Sequence, residues 1–256
     1  TPLTLCLSRL GAGAVVGAAW GGDDGEASDI PTLTSGELLV CTDAPYSPFE
    51  NVDEDGNVSD GFDVELVEAI GEELGLTVTW TIQPFDGIWL APAAGTCDLV
   101  ASAMTITEER AEQALFSDPY YDADQSLMVA AGSGFASLDD LVGESVAVQT
   151  GTTGEIYASE NAPEGVEIVS FDEPAAMFLA LEGGDVSAIL QDLPVNAERA
   201  QQDDQFELAE TFPTGEQYGF ATAQENTELM DAINEGLAAV RDAGTYDELF
   251  EQYFGA

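Results

Sequence analysis

Histidine and lysine are both missing from this 256-residue sequence, and four arginines stand against 50 aspartates and glutamates. Without histidine there is no Ser-His-Asp or Cys-His relay and no histidine-bearing zinc site. Without lysine there is no Walker A loop, no pyridoxal phosphate Schiff base and no lysine general base. Carboxylate chemistry survives these exclusions. The net charge of −46 excludes nucleic acid as a partner, because a polyanion is repelled and no basic patch can be assembled. Apolar runs are short as well. Leu10–Trp20 (LGAGAVVGAAW) falls well below the roughly 20 residues of a membrane span.

That run resembles the apolar region and cleavage end of a secretory signal, giving residues 1–20 as a truncated signal-like segment. Trp20 occupies the place where a lipoprotein signal would carry a cysteine. Residues 21–35 (GGDDGEASDIPTLTS) then form an acidic linker. Removal of a leader holding Cys6 would leave Cys41 and Cys97, an even pair in an exported chain. A disulfide and two buried free thiols are both open readings.

Hydrophobic content of 45% sets the chain apart from disordered acidic sequences. From residue 36 onward, strand-like and helix-like segments alternate. Strands are expected at 38–43, 78–83, 98–103, 145–150 and 186–191. Helical patterns cover 62–74, with a stop at Gly75, and a region near 229–240. Ser137 and Asp140 read as the N-cap and first-turn acid of a short helix, and Thr245 to Glu248 as a capping box for the last one. The stretch DEDGNVSDG (53–61) departs from EF-hand spacing and reads as a hairpin turn rather than a calcium loop. No metal or cofactor is called for.

Alternation of this kind predicts an α/β protein whose ligands bind beyond the carboxyl ends of parallel strands. The residues at those ends suit a zwitterionic amino acid. Its carboxylate needs a planar, permanently charged donor, and Arg110 stands just after the expected helix start near Thr107, where the macrodipole disfavours a cation. Thr153, in QTGTTGE (149–155), opens a helix whose backbone N–H groups favour an anion. Asp192, the Thr105 hydroxyl and the Ala103 carbonyl suit the ammonium. Tyr46 and Phe85 supply aromatic walls, while Asp43, Ser102 and Gln149 supply polar selection.

The segments LLVCTDAPYSPFE, DGFDVELVEAI, PFDGIWLA, GTCDLVASAMTITEERAEQALFSDPYY, VAVQTGTTGE and RDAGTYDELFEQYFG occur in that order over about residues 36–256. With them the chain resembles the family 3 solute-binding proteins, the extracytoplasmic polar amino-acid receptors of ABC importers, in a halophilic or actinobacterial form. The resemblance implies a two-lobed periplasmic-binding-protein-like (type II) fold, each lobe a mostly parallel sheet flanked by helices. Lobe 1 would hold 36–121 and 223–256, lobe 2 would hold 127–217, and 122–126 with 218–222 would form a two-strand hinge. Arg110 would grip the ligand carboxylate, Asp192 the ammonium, and Asp43, Tyr46 and Phe85 the side chain. Ser102, Ala103 and Thr105 would contact the ammonium and side chain, Thr153 the carboxylate, and Gln149 would bear on specificity. The implied ligand is a polar L-amino acid, glutamine or a basic one by preference. The implied partners are permease subunits, with the receptor monomeric and outside the cell membrane. A cyclohexadienyl or arogenate dehydratase on the same fold is the alternative, with Asp43 or Glu50 as general acid.

Charge repulsion on this scale opposes the compact state, and roughly 1 M salt shortens the Debye length to about 3 Å. Thermal stability is therefore expected to rise with NaCl through the molar range. A melting temperature independent of salt by scanning calorimetry would overturn this reading.

Overall fold

The computed structural model describes Thr1 and residues 30–255. The signal-like segment, most of the acidic linker, Cys6 and Arg9 lie outside those residues. Two five-stranded sheets organise the rest.

The first sheet begins with β1 (Glu37–Thr42), α1 (Phe62–Leu74) and β2 (Thr77–Ile82). It continues with β3 (Leu99–Val100), α2 (Glu108–Ala111) and β4 (Ala114–Phe116). The chain then enters the second sheet through β5 (Tyr121–Ala130), followed by β6 (Ser145–Gln149), α3 (Thr153–Asn161) and β7 (Glu167–Phe171). Next come α4 (Pro174–Gly183), β8 (Ala188–Asp192), α5 (Leu193–Gln202) and β9 (Phe206–Tyr218). The chain returns to the first sheet at β10 (Ala221–Ala223) and ends in α6 (Thr227–Ala243) and α7 (Thr245–Phe254).

Strand order is β2-β1-β3-β10-β4 in the first sheet and β7-β6-β8-β5-β9 in the second. Each sheet has a three-strand parallel core, β2-β1-β3 and β7-β6-β8, completed by antiparallel pairings. The parallel strands are joined through helical crossovers, as that geometry requires. Chain passage between the sheets occurs twice, just before β5 and just after β9, and those two long strands pair antiparallel from Tyr121↔Tyr218 to Ala130↔Phe206.

The core follows the expected periodicities. Phe62, Leu66 and Ile70 of α1 are buried against Leu229, Ile233, Leu237 and Val240 of α6. Each such side chain contributes about 1.5–3 kcal/mol of apolar burial. Around the crossing strands the aromatics interlock: Phe49 meets Tyr121 and Tyr218 edge-on, with ring centroids 5.1 and 5.3 Å apart.

Several local expectations are corrected. The strand expected over 98–103 is confined to Leu99–Val100. Ala103 adopts a φ of 42°, which turns the chain out of the sheet. Asp98 is instead a tie, its carboxylate accepting from the Leu33 and Leu39 N–H groups at 2.6 and 2.9 Å. No capping box forms at Thr245, because Gly244 alone separates α6 from α7 and leaves Thr245 inside the helix. A short 3-10 helix does form at Leu138–Leu141 with Ser137 at its N-cap and Asp140 in its first turn, as expected, although the Ser137 side chain makes no cap hydrogen bond. Asp140 reaches back instead, accepting from Ala136 N–H at 2.9 Å and Ser137 Oγ at 3.1 Å. The 53–61 stretch does turn back on itself through a Val52↔Val58 bridge.

Cys41 and Cys97 form a disulfide, which settles that open question and joins β1 to the residue before Asp98. It closes a loop spanning 56 residues of separation. For a loop of that length the chain-entropy relation gives a stabilisation of about 4 kcal/mol. Replacing both cysteines by alanine is expected to lower unfolding free energy by about 2–5 kcal/mol while leaving the fold intact. Denaturant titration followed by circular dichroism checks this, and an unchanged midpoint would refute it.

Candidate functional site

The facing carboxyl ends of the two parallel sets meet across one cavity. Asp43, Tyr46, Phe85, Ser102, Ala103, Thr105, Arg110, Gln149, Thr153 and Asp192 all line it, joined by Thr152. Asp43 follows β1, Ser102 and Ala103 follow β3, and Arg110 lies in α2. From the second sheet come Gln149 at the end of β6, Thr153 at the start of α3 and Asp192 at the end of β8.

Arg110 is 4% exposed. Thr107 caps α2, its hydroxyl accepting from the Arg110 N–H at 3.1 Å, so the local fold starts the helix where it aims this side chain inward. One guanidinium nitrogen donates to the Thr105 carbonyl at 2.7 Å and the other to the Gly151 carbonyl at 3.0 Å. Phe85 and Trp89 flank the cation, with ring centroids 5.2 and 5.0 Å from its central carbon. A guanidinium has five N–H donors, so these two bonds leave others for a ligand. Burial lowers its pKa to about 10, with the nearby Asp192, Glu216 and Glu109 charges opposing that shift, so it stays charged at neutral pH. Among the described residues the single ion pair within 4.0 Å is Arg199–Asp203. Arg110 thus has no carboxylate partner among the described residues, although the sequence offers 50.

Asp192 is the mirror case. Tyr46 and Tyr218 hydroxyls donate to one carboxylate oxygen at 2.9 and 2.6 Å, and the Gln125 amide donates to the other. Burial and then the Glu216 charge push its pKa up to about 6, against those three hydrogen bonds. It too has no cation within ion-pair distance among the described residues.

The remaining groups hold one another. The Gln149 amide donates to Asp43 at 2.6 Å, and Ser102 Oγ accepts from the Asp43 N–H at 2.9 Å. Burial pushes the Asp43 carboxyl up to about 6; the Gln149 bond opposes this and the Glu173 charge adds to it. Glu216, on β9, accepts from both the Thr105 and Thr153 hydroxyls at 2.7 Å. The Thr105 hydroxyl, expected to face an ammonium, is therefore already committed to a carboxylate.

Contact between the halves is close. Gly151 has a φ of 78°, and a Cβ there would lie 2.7 Å from an Asp86 carboxylate oxygen. Thr152 caps α3, accepting from the Glu155 N–H at 3.1 Å, while Glu155 accepts from the Gly151 N–H at 2.8 Å. Beyond Asp43 a wider cleft opens, its rim carrying Asp86, Asp172 and Glu173.

Sequence reasoning missed Gln125, Glu216, Tyr218 and Trp89. The first three sit on the crossing strands and bond to lining groups from behind, where nothing local distinguishes them from other strand residues. Trp89 lies in the quoted PFDGIWLA segment, and its pairing with Phe85 around a cation was the available signal. Glu50, a candidate general acid, is fully buried and does not line the cavity. The other described cations serve structure: Arg199 lies over Phe178 and Phe206, and Arg241 over Tyr246.

Comparison with known proteins agrees with this architecture. The family model for bacterial extracellular solute-binding proteins, family 3, matches residues 38–256. The histidine-binding periplasmic protein of Escherichia coli (strain K12) is 31% identical over 229 residues, covering 85% of this chain and 87% of that protein. ABC transporter arginine-binding protein 1 of the same organism is 30% identical over 216 residues, covering 82% and 88%. An ancestral arginine-binding protein solved with glutamine superposes with a TM-score of 0.81 at 39% identity, covering 87% of this chain and 100% of that one.

A pH dependence follows from the two raised carboxyls. Asp43 and Asp192 have folded pKa values near 6, above their ordinary value of 3.8. Their stabilising contribution is full when protonated and is lost as pH rises through about 6. The melting temperature of the ligand-free protein is expected to fall between about pH 4 and 6.5 at constant ionic strength, the window between the ordinary and the raised pKa values. Asp192→Asn should flatten that slope; a calorimetric profile identical to wild type would refute the assignment.

Proposed function

The chain belongs to the bacterial extracellular solute-binding proteins, family 3, and from that membership we propose that its cavity captures an L-amino acid for delivery to an ABC importer permease. One observation carries the reading. A buried arginine and a buried aspartate line the same cavity, each hydrogen-bonded yet neither ion-paired. A free amino acid supplies the carboxylate that Arg110 needs and the ammonium that Asp192 needs. Burial makes both charges costly while unpaired, so the ligand gains from each.

The side chain would lie toward Asp43 and Gln149, with Phe85 and Tyr46 as walls. Among glutamine and the basic amino acids, the acidic rim of Asp86, Asp172 and Glu173 favours a long cationic side chain such as that of arginine. Capture would proceed by closure of two lobes, 36–121 with 223–256 against 127–217, about a hinge at 122–126 and 218–222. The direct bonds Gln149–Asp43, Tyr46–Asp192 and Arg110–Gly151 are among the links between the lobes that would break on opening. The receptor would act as a monomer outside the cell membrane. It would bind without catalysis: of the two general-acid candidates, burial withholds Glu50 from any substrate, and Asp43 is held by the Gln149 amide.

Removing one member of a buried charge pair costs several kcal/mol, so Arg110→Ala is expected to weaken amino-acid binding by at least about 100-fold. Circular dichroism should show the fold retained. Calorimetry of a twenty-amino-acid panel in high salt, with ornithine, citrulline and cystine added, is the check. Near-native affinity in the variant would refute the clamp, and turnover of prephenate or arogenate would refute the binding-only reading.

A further inference from the structure

Beneath the cavity floor lies a second acidic group that ligand capture does not use. Glu50 and Asp63 are both fully buried in the first half. Asp63 Oδ2 accepts from the Ala103 N–H at 2.9 Å and from the Tyr120 hydroxyl at 2.5 Å. The other three oxygens, Asp63 Oδ1 and both of Glu50, are buried without a hydrogen-bond partner. Two adjoining ionised carboxylates with no cation at hand would be untenable there.

We propose that Glu50 and Asp63 hold one proton between them, and that this pair positions the Ala103 turn that floors the amino-acid cavity. The proton gives Glu50 a donor and Asp63 Oδ1 a partner, which leaves Asp63 ionised to hold Ala103. Ala103 needs holding, because its φ of 42° is a left-handed backbone that alanine rarely adopts. Burial and the neighbouring carboxylate charges favour proton retention by the pair, while the Tyr120 and Ala103 hydrogen bonds oppose it. Burial, followed by the Asp63 charge and then the Asp43 charge, pushes the Glu50 carboxyl well above its ordinary range. Burial raises Asp63 to about 6, with the Tyr120 and Ala103 bonds opposing. Tyr120 and Tyr46 are themselves raised by burial and remain neutral donors. Glu50 and Asp63 are positioning residues, acting on the ligand only through Ala103 and its neighbours Ser102 and Thr105.

The inference rests on the amino-acid reading for its ligand but not for its proton, and the two can be tested apart. Carboxyl-carbon NMR of the Glu- and Asp-labelled protein at pH 7 is expected to show one protonated side chain that disappears in Glu50→Gln. With L-arginine as probe, Glu50→Gln should bind within about threefold of wild type, because an amide N–H replaces the shared proton. Glu50→Met, similar in volume but without a donor, should lose about tenfold, as expected when a buried hydrogen bond is left half-made. All carboxyls ionised at pH 7, or equal affinities for the Gln and Met variants, would overturn the proposal. If the Met variant fails to fold, the carbon signal decides. If wild type ignores L-arginine and every other amino acid, the capture reading fails while the carbon signal still judges the pair.

Discussion

Two opposite charges, Arg110 and Asp192, are buried on the walls of one cavity and kept out of contact with each other. A guanidinium withdrawn from water normally recruits a carboxylate, and this chain has no shortage of them. Here carbonyls and aromatic faces hold the cation instead, and tyrosine and glutamine donors hold the anion. Both are kept ionisable yet incompletely compensated. The arrangement is unfavourable for an empty protein and suited to a zwitterion.

The fold exists to sustain that separation. Each charge is delivered from a different sheet, Arg110 from the short helix between β3 and β4 and Asp192 from the end of β8. Loops beyond parallel strands converge because every crossover helix returns the chain to the same end of its sheet. Aromatic packing around Phe49, Tyr121 and Tyr218 then stiffens the strands that carry Gln125, Glu216 and Tyr218 to the groups lining the cavity. Glu216 ties Thr105 of one half to Thr153 of the other, so the crossing strands contribute polar contacts as well as connection.

Much of this was legible in the residues. The period of α1 marked its buried face, and the residue types after successive strands named ten of the eleven groups that line the cavity. Arg110 stood out because a cation in the first turn of a helix, in so acidic a chain, needs a reason. Other features were illegible for physical causes. Gln125 lies among buried or half-buried neighbours and Glu216 between exposed ones, so no alternation of burial marks either. The expected cap at Thr245 was local chemistry overridden by the one-residue junction at Gly244. The strand through Ala103 was cut short because its N–H is drawn to Asp63, 40 residues away in sequence.

Composition by itself set aside histidine relays and lysine chemistry and argued against nucleic acid as a partner, and the alternation of segments determined an α/β architecture. Those conclusions need only residue chemistry and local periodicity. Tertiary structure alone decided that Cys41 and Cys97 are bonded, that Trp89 backs the arginine, that Glu50 is sealed from the cavity, and that Asp192 is held by three donors. Each of these depends on which distant segments meet and how much water their meeting removes, and neither quantity is written in any single stretch of chain.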